Sequence, residues 1–479
     1  MIRVVGFALS LLMIVLAAQA SAPDAPARIG PPAGPLDLPT PLPASHAATT
    51  DRPHRPFAYL GVGSCSAEAC HGGKSNPGQR GAECLTWLKN DPHASAYTVL
   101  TSERSKEILL NYQGRSGAGE LAAKPEQERL CLKCHVAIEL DRHPVQDSFS
   151  KEDGVSCESC HGPASGWIAA HTLSGWRFLP DDAKSLKGMK PMKGLAVRAQ
   201  VCADCHVGSP EAEVDHDLIA AGHPVLRFEF ASYHVQVPKH WNHYAERSSN
   251  RVFEVDAWRE GQIASMQRAL AMVRARAVDH DHDHDHSAAW PDFALSECSA
   301  CHRSLAETDL TKRDRARTGQ ARWGDWFFST MPLFSAGSSD PAVARFDEAI
   351  RSLRSLLEQP LPNKVSAARH TSEALRTLSS AEQALRASRV TPRRLPEGVD
   401  LSRWEIASQW YLAQAAWDQS LIDQGALVSP AELDATRSRL SVVRDLLRFK
   451  SGTTSPRLLD ATRIQEGLLL KPRPSSADR

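Results

Sequence analysis

The sequence predicts a mainly α-helical protein with extensive loops, in which a part rich in cysteine and histidine precedes an antiparallel helical bundle. All eleven cysteines of the 479-residue chain lie before residue 302, and ten of them form five short motifs that each end in histidine. Beyond residue 340, apolar residues recur at steps of three and four, which is the spacing of one face of a helix. The two patterns divide the chain into parts with different chemistry.

Residues 1–22 have the composition of a secretory signal peptide. One arginine precedes a continuous apolar run, and small residues follow at Ala20 and Ala22, where cleavage is expected. An uncleaved membrane anchor is the alternative, although the run is short against the about 20 residues that a spanning helix needs. Residues 23–56 are rich in proline and alanine and are expected to form a linker. We therefore expect an exported, periplasmic protein with no transmembrane span after cleavage.

The charge balance gives no indication of a nucleic-acid or anionic-membrane partner, because 56 basic residues match 56 acidic ones. The chain beyond the linker is long enough to bury a sizeable core and is expected to form two units. We predict a cysteine-rich domain over residues 57–335 and a four-helix bundle over 336–450. An irregular tail is expected over 451–479.

Four of the motifs have the form Cys-x-x-Cys-His, the attachment motif of c-type haem. Both thiols form thioethers with the vinyl groups of one porphyrin, and the adjacent imidazole binds the iron. Three alternatives fit less well. A zinc ribbon does not require the adjacent histidine, and cysteines so close together are poor disulfide partners. A thioredoxin-like redox motif would occur once instead of four times. The predicted attachment cysteines and proximal histidines are Cys131, Cys134 and His135; Cys157, Cys160 and His161; Cys202, Cys205 and His206; and Cys298, Cys301 and His302.

A further motif near the start of the domain consists of Cys65, Cys70 and His71, with four residues between the cysteines. A longer loop can still present both thiols to one porphyrin, and the adjacent histidine is retained. We therefore predict about five covalent haems, against the alternative of a Cys-His dipeptide that occurs here by chance. The remaining cysteine, Cys84, is expected to be a buried thiol.

Distal ligands are also available, since a low-spin haem needs a second axial ligand and histidine is a usual one. Apart from the run at 280–286, eight histidines beyond the proximal five lie among the motifs, so each haem can receive two imidazoles. Four of them are the leading candidates for distal ligands. The fifth distal ligand is one of the other four, and the sequence does not say which. The leading candidates are His93, His143, His171 and His223, and the others are His216, His234, His240 and His243.

The spacing of two candidates suggests how the haems are connected. His143 and His171 follow their nearest proximal histidines by 8 and 10 residues. Such a short segment would have to pass around the edge of a wide macrocycle to reach its other face. We therefore expect each of these histidines to cap the iron of a neighbouring haem.

Four segments, GVSCESCHGPASGW, VCADCHVG, DHDLIAAGHPVLRFEF and FALSECSACHRSL, resemble the exported multihaem cytochromes of the cytochrome c-552/c-554 type, which are related to the hydroxylamine oxidoreductase family. The likeness covers roughly residues 57–310. It implies a fold of helices and loops in which haems replace much of the core, stack in close pairs and pass electrons along the series. It also implies that His223, in the GHP segment, is a distal ligand.

Two departures from the catalytic relatives weaken an enzyme assignment. No motif ends in lysine, and none of the six tyrosines matches the one that crosslinks the catalytic haem of hydroxylamine oxidoreductases. We predict no catalytic residue and expect electron transfer between redox partner proteins. The alternative is a multihaem oxidoreductase that acts on a small nitrogen or sulfur compound at one open-coordinate haem. The sequence names neither donor nor acceptor, and it leaves a homo-oligomer open.

Residues 279–286 alternate aspartate and histidine, with histidines at 280, 282, 284 and 286. Imidazole and carboxylate together could bind zinc, copper or nickel. The simpler interpretation, which we favour, is a solvated loop outside the packed core.

The predicted bundle begins with a helix capped by Asp340, whose apolar face consists of Val343, Phe346, Ile350, Leu353 and Leu357. A second helix is expected over about 363–386 and a third over about 401–424, where Gly425 can end it. The fourth opens at Ser429 with a capping box completed by Glu432. Short connections between the helices predict antiparallel neighbours.

Overall fold

The computed structural model confirms a mainly helical fold with extensive loops. It describes residues 56–73, 79–115, 123–138, 142–278, 289–298, 302, 321–426, 429–448 and 459–470. Within these ranges the extended segments form only isolated β-bridges, such as the one between Tyr59 and Val145. The predicted signal peptide, most of the linker, Cys301 and the alternating histidines at 279–286 lie outside the described residues.

The first half of the described chain consists of short helices joined by long loops. Its α-helices are Glu83–Asn90 (α1), Ala96–Leu100 (α2), Glu103–Arg115 (α3), Arg129–His135 (α4), Cys157–His161 (α5), Asp181–Ser185 (α6), Leu195–His206 (α7), His216–Ala221 (α8), Phe230–Gln236 (α9) and His243–Ser249 (α10). Single 3₁₀ turns lie between them, at Val62–Ser64, Pro92–Ser95, Pro125–Gln127, Lys151–Asp153, Ala164–Gly166, Ala170–Thr172 and Trp176–Phe178.

The second half consists of longer helices. They are Phe253–Val278 (α11), Asp325–Phe328 (α12), Met331–Gly337 (α13), Pro341–Leu357 (α14), Lys364–Ala387 (α15), Trp404–Asp423 (α16), Pro430–Leu447 (α17) and Ala461–Gly467 (α18). The four helices predicted after residue 340 correspond to α14–α17. Asp340 accepts a hydrogen bond from the Ala342 amide, and Ser429 and Glu432 form the expected capping box.

Helix α11 lies at the centre of the second half and was not predicted from the sequence. It packs against α7, α15 and α16, so it is covered on several sides and carries apolar residues all round instead of on one stripe. Gly261 permits a further contact, with α9, because a Cβ there would collide with Phe230 of that helix. The helix therefore joins the bundle to the cysteine-rich part.

One apolar core extends across the predicted boundary at residue 335. It includes Ala203 of α7, Leu270 of α11 and Phe346 of α14, all of them buried. Two smaller clusters lie in the first half, one around Tyr59 and Leu132 and one around Trp167 and Trp176. The division of the chain into domains stays a prediction.

Helix α18 lies within the segment that we expected to be an irregular tail. The Asp460 side chain caps it by accepting a hydrogen bond from the Arg463 amide, and Ile464 is fully buried in the main core. Its seven residues are too few for a periodic pattern to stand out in the sequence. None of the helices in the described ranges is long and apolar enough to cross a membrane.

Candidate haem-binding sites

Three of the predicted proximal histidines are the last residues of helices that also carry their cysteines. His135 ends α4, His161 ends α5 and His206 ends α7. On a helix, residues three apart lie on the same face, so the two cysteines of each motif point the same way. This local geometry places two thiols and one imidazole where a single porphyrin can bind all three.

Four of the five proximal imidazoles face a second histidine ring at nearly the same distance. The ring centres are 6.2 Å apart for His71 and His171, 6.0 Å for His206 and His93, 6.3 Å for His161 and His240, and 6.3 Å for His302 and His216. The planes are nearly parallel in the first and last of these pairs, at 16° and 28°. They are nearly perpendicular in the other two, at 73° and 69°.

The remaining proximal histidine, His135, lies close to His223. Burial is the main reason why the pKa of His223 lies below its usual value, and the charge of a protonated His135 lowers it further. Each described motif histidine therefore has one imidazole neighbour from outside the motifs. His223 is the residue that the resemblance implies as a distal ligand, and this assignment stays a prediction.

Hydrogen bonds orient these rings by occupying one of the two ring nitrogens. Nδ1 donates to a backbone carbonyl in His135 (Ala96 O, 2.7 Å), His171 (Ile168 O, 2.5 Å) and His223 (Pro224 O, 2.9 Å). His240 is hydrogen-bonded to the backbone of Pro238. A ring whose Nδ1 carries the proton presents Nε2 as its metal-binding atom.

Two other rings use carboxylates for the same purpose. His71 Nδ1 lies 3.1 Å from Glu83 Oε2, and His93 Nδ1 lies 2.8 Å from Asp91 Oδ1. Burial alone would raise the pKa of Asp91, but its hydrogen bonds with His93 outweigh burial and hold that pKa below the usual value. The pKa of Glu83 is lowered in the same way, where hydrogen bonds from Gly81 and His71 outweigh the effect of burial.

The spacing of the paired rings fits a metal ion between two imidazoles. Each metal–nitrogen bond is about 2 Å long and each ring centre lies roughly 1 Å behind its nitrogen, so the two ring centres should be about 6 Å apart. Burial lowers the pKa of both His161 and His206 to about 4, which keeps these rings in the neutral form that metal binding requires. The cysteines, the proximal imidazoles and the second imidazoles thus meet the requirements of covalent haem with two axial histidines.

Comparison with known proteins agrees with this geometry. Residues 64–162 match the family model of cytochrome c554 and c-prime. This part of the chain is therefore similar to multihaem c-type cytochromes of the c-554 type. The cytochrome c-554 of Nitrosomonas europaea is 29% identical over 140 residues, which are 27% of this chain and 55% of that protein. The chain thus spans about half the length of this curated relative, and no solved structure matches it.

The c-554-type segment contains the first three motifs, while the fourth and fifth motifs lie beyond residue 162. The relation to the hydroxylamine oxidoreductase family stays a prediction. So do the cysteine and histidine assignments, for which the distances above are the structural support.

Neighbouring motifs of this chain are close in space. The thiol of Cys157 donates a hydrogen bond to Cys65, which lowers the pKa of Cys65 and raises that of Cys157. Cys134 and Cys205 are hydrogen-bonded in the same way. The first motif therefore adjoins the third, and the second adjoins the fourth.

The fifth motif lies beside the bundle. Glu297, next to Cys298, forms a buried ion pair with Arg403 (2.5 Å), and Arg227 pairs with Glu405 at the start of α16 (2.5 Å). His216, which faces His302, is the first residue of α8, and His223 follows the end of the same helix. One short helix thus carries the partners of both His302 and His135.

His143 has a different environment from the other three leading candidates. Its Nδ1 donates to the Phe57 carbonyl at 2.8 Å, and its ring lies edge-on to Tyr59 with centres 5.6 Å apart. The described contacts of His143 therefore involve the Phe57 backbone and the Tyr59 ring. Its assignment as a distal ligand is untested.

His234 and His243 also face each other, with ring centres 5.7 Å apart, but their nitrogens are engaged elsewhere. Arg198 Nη1 lies 3.0 Å from His234 Nε2, and Glu246 Oε2 lies 3.3 Å from His243 Nδ1. A guanidinium at Nε2 takes up the lone pair that a metal would need. Burial, with the nearby cations, lowers the pKa of His234 to about 2. This pair belongs to a polar cluster of the fold.

Cys84 is buried, as predicted, and lies near Cys65 and Cys157. Burial raises the pKa of its thiol. No disulfide joins any two of the ten described cysteines.

Proposed function

We propose that this protein is an exported multihaem c-type cytochrome that binds five covalent haems and transfers electrons along them. The observation that carries the proposal is the set of five imidazole pairs, each made of one motif histidine and one histidine from outside the motifs. The pairs are His71 with His171, His135 with His223, His161 with His240, His206 with His93, and His302 with His216.

The residues of each site have distinct roles in this proposal. The cysteines attach the porphyrin, the motif histidine binds one face of the iron, and the second histidine binds the other face. When bound, the haem supplies reversible one-electron chemistry. Two fixed imidazoles keep the coordination unchanged on reduction, so little reorganisation accompanies electron transfer.

Contacts between the motifs support a continuous route for electrons. Cys65 lies beside Cys157 and Cys134 lies beside Cys205, so the edges of two pairs of sites are close together. Cys160 and Cys202 are also close enough for their charges to interact, which links the third site to the fourth. Helix α8 connects the second site with the fifth.

Catalysis at an open iron is the alternative that this geometry disfavours. An oxidoreductase acting on a small nitrogen or sulfur compound would leave one iron without its second ligand. Here each proximal imidazole has a partner ring, so the proposed carrier has no vacant position for a substrate.

The test is a pyridine haemochrome count together with low-temperature EPR of the oxidised protein, purified from a host that matures cytochromes c. Five haems per chain, all low-spin and inert to carbon monoxide and hydroxylamine, are the expected result. A high-spin fraction near one haem in five would overturn the carrier and favour the oxidoreductase. Mass spectrometry of the mature N-terminus tests export, with cleavage at Ala20 or Ala22 expected.

A further inference from the structure

We propose that Glu83 and Asp91 are positioning residues that lower the reduction potentials of the first and fourth haem sites relative to the third. The inference rests on the proposed function, because it concerns ligands to the proposed haems. Each carboxylate accepts the Nδ1 proton of an axial imidazole, His71 for Glu83 and His93 for Asp91.

Asp91 is held in place by two groups of His93, the backbone amide and the imidazole ring. Its Oδ1 accepts from the backbone amide of His93 at 3.0 Å as well as from the ring at 2.8 Å, so it caps the 3₁₀ turn Pro92–Ser95. Its side chain is 11% exposed, which limits screening by water. The carboxylate therefore fixes the plane of the His93 ring and presents negative charge to it.

Glu83 makes an equivalent bridge at the start of α1. Its Oε1 accepts from the Gly81 amide at 3.0 Å, while Oε2 lies 3.1 Å from His71 Nδ1. The following residue, Cys84, donates its amide to the His71 carbonyl at 3.0 Å. The ring and the backbone of His71 are thus both held by the first turn of one helix.

The third site provides the contrast. His161 Nδ1 is buried and has no hydrogen-bond partner among the described residues, and His240 uses the backbone of Pro238. The charges of Glu83 and Asp91 act on His240 through space only, and neither carboxylate is hydrogen-bonded to it in the described contacts. At the second site, both rings donate to neutral carbonyls, of Ala96 and Pro224. Anionic acceptors are therefore present at the first and fourth sites and absent from the described contacts of the second and third.

The charge of the acceptor changes the electronic properties of the ligand. A hydrogen bond to a carboxylate is stronger than one to a carbonyl, and it leaves more negative charge on the imidazole. That charge stabilises the ferric state more than the ferrous state, because the ferric site carries one more positive charge. The potential of the haem therefore falls.

The test replaces each carboxylate with its neutral isostere, as Glu83→Gln and Asp91→Asn, in the full-length, haem-loaded protein. We expect each variant to favour reduction of one haem about tenfold, which is a rise of about 59 mV for one electron. Spectroelectrochemical titration measures this change in reduction potential. Asp340→Asn is the matched control, since Asp340 also caps a helix but lies in the bundle, away from the imidazole pairs.

EPR assigns each changed potential to a class of sites, because the angle between the two axial imidazole planes determines the anisotropy of a low-spin ferric signal. The first site has nearly parallel planes (16°) and the fourth nearly perpendicular ones (73°). In the Glu83→Gln protein, the haem with the raised potential should give an EPR signal typical of parallel imidazole planes. In the Asp91→Asn protein, it should give a signal typical of perpendicular planes.

The outcomes separate this inference from the proposed function. Five low-spin haems with unchanged potentials in both variants would overturn the inference and leave the function standing. Fewer haems or an open iron in the unmodified protein would overturn the function itself. A variant with a new high-spin signal would mean that the carboxylate only holds the ring in place, which would also overturn the proposed effect on the potential.

Discussion

Replacing His240 with alanine should open one iron of the five. The His240 ring faces that of His161 at 6.3 Å, and the Nδ1 atom of His161 is buried. Its removal leaves the third haem with a single axial imidazole. We therefore expect one haem in five to become high-spin in the His240→Ala protein, a fifth of the total iron signal.

The cost of this substitution to the fold should be small. His240 is partly exposed and its ring lies edge-on to Trp241, with centres 5.1 Å apart. Truncation of a partly exposed side chain typically costs about 1 kcal/mol. The covalent attachment through Cys157 and Cys160 does not depend on the distal ligand, so the haem count should stay unchanged.

The assay is EPR of the oxidised protein and carbon monoxide binding to the reduced protein, with His143→Ala as the matched control. His143 donates to the Phe57 carbonyl and contacts Tyr59, so its loss should leave every haem low-spin. A fully low-spin His240→Ala protein would refute the assignment of His240. A high-spin signal in the His143→Ala protein would instead make His143 a ligand.

Three further predictions concern the fifth site, a buried carboxyl and the bundle core. His216→Ala should produce a high-spin fraction like that of His240→Ala, measured by EPR, because His216 faces His302 at 6.3 Å; an unchanged spectrum would contradict this. Burial raises the pKa of Glu254 to about 7 despite its 3.2 Å ion pair with Arg247. The folded state then holds a proton that the unfolded state releases above its ordinary pKa of 4.5, so stability should fall by about 3 kcal/mol as pH rises from 4.5 to 7. Glu254→Gln should flatten that slope in urea unfolding at pH 5 and 8, and an equal slope in both proteins would exclude Glu254 as its source. Phe346→Ala, at a fully buried position, should lower the free energy of unfolding by about 3–5 kcal/mol; a loss below 1 kcal/mol would show that the core readjusts.

The sequence predicts the bundle well because its signals are local. Asp340, Ser429 and Glu432 act within one turn of the residues they cap, and the α14 apolar face has the helix period. The same reasoning does not predict helix α11. Neighbouring helices cover it on several sides, so its apolar residues do not form a periodic stripe. Long-range packing determines its face pattern, and a single sequence does not display that packing.

The proximal ligands follow from the motif spacing, whereas the distal ligands depend on how distant segments meet. His93 faces His206 across 113 positions of sequence, and His171 faces His71 across 100. The latter arrangement agrees with the expectation that His171 caps a haem of another motif. Sequence spacing does not identify the remaining distal ligand among the other candidates. His240, which faces a motif histidine, and His234, which belongs to the polar cluster, lie only six positions apart.

A local hydrogen bond is common to four of the five proposed distal rings, and His243, which lies outside the proposed pairs, has one as well, with Glu246. His93, His171, His223 and His240 each have an Nδ1 acceptor or backbone partner within three residues of themselves: Asp91, Ile168, Pro224 and Pro238. The Nδ1 acceptor of His143, the Phe57 carbonyl, lies 86 residues earlier in the sequence. A ring oriented by its own turn keeps Nε2 fixed before the two faces of the site come together, so less conformational entropy is lost when the iron is bound. A motif histidine is also restrained by the predicted attachment cysteine beside it in the chain, and His161 lacks an Nδ1 acceptor among the described residues.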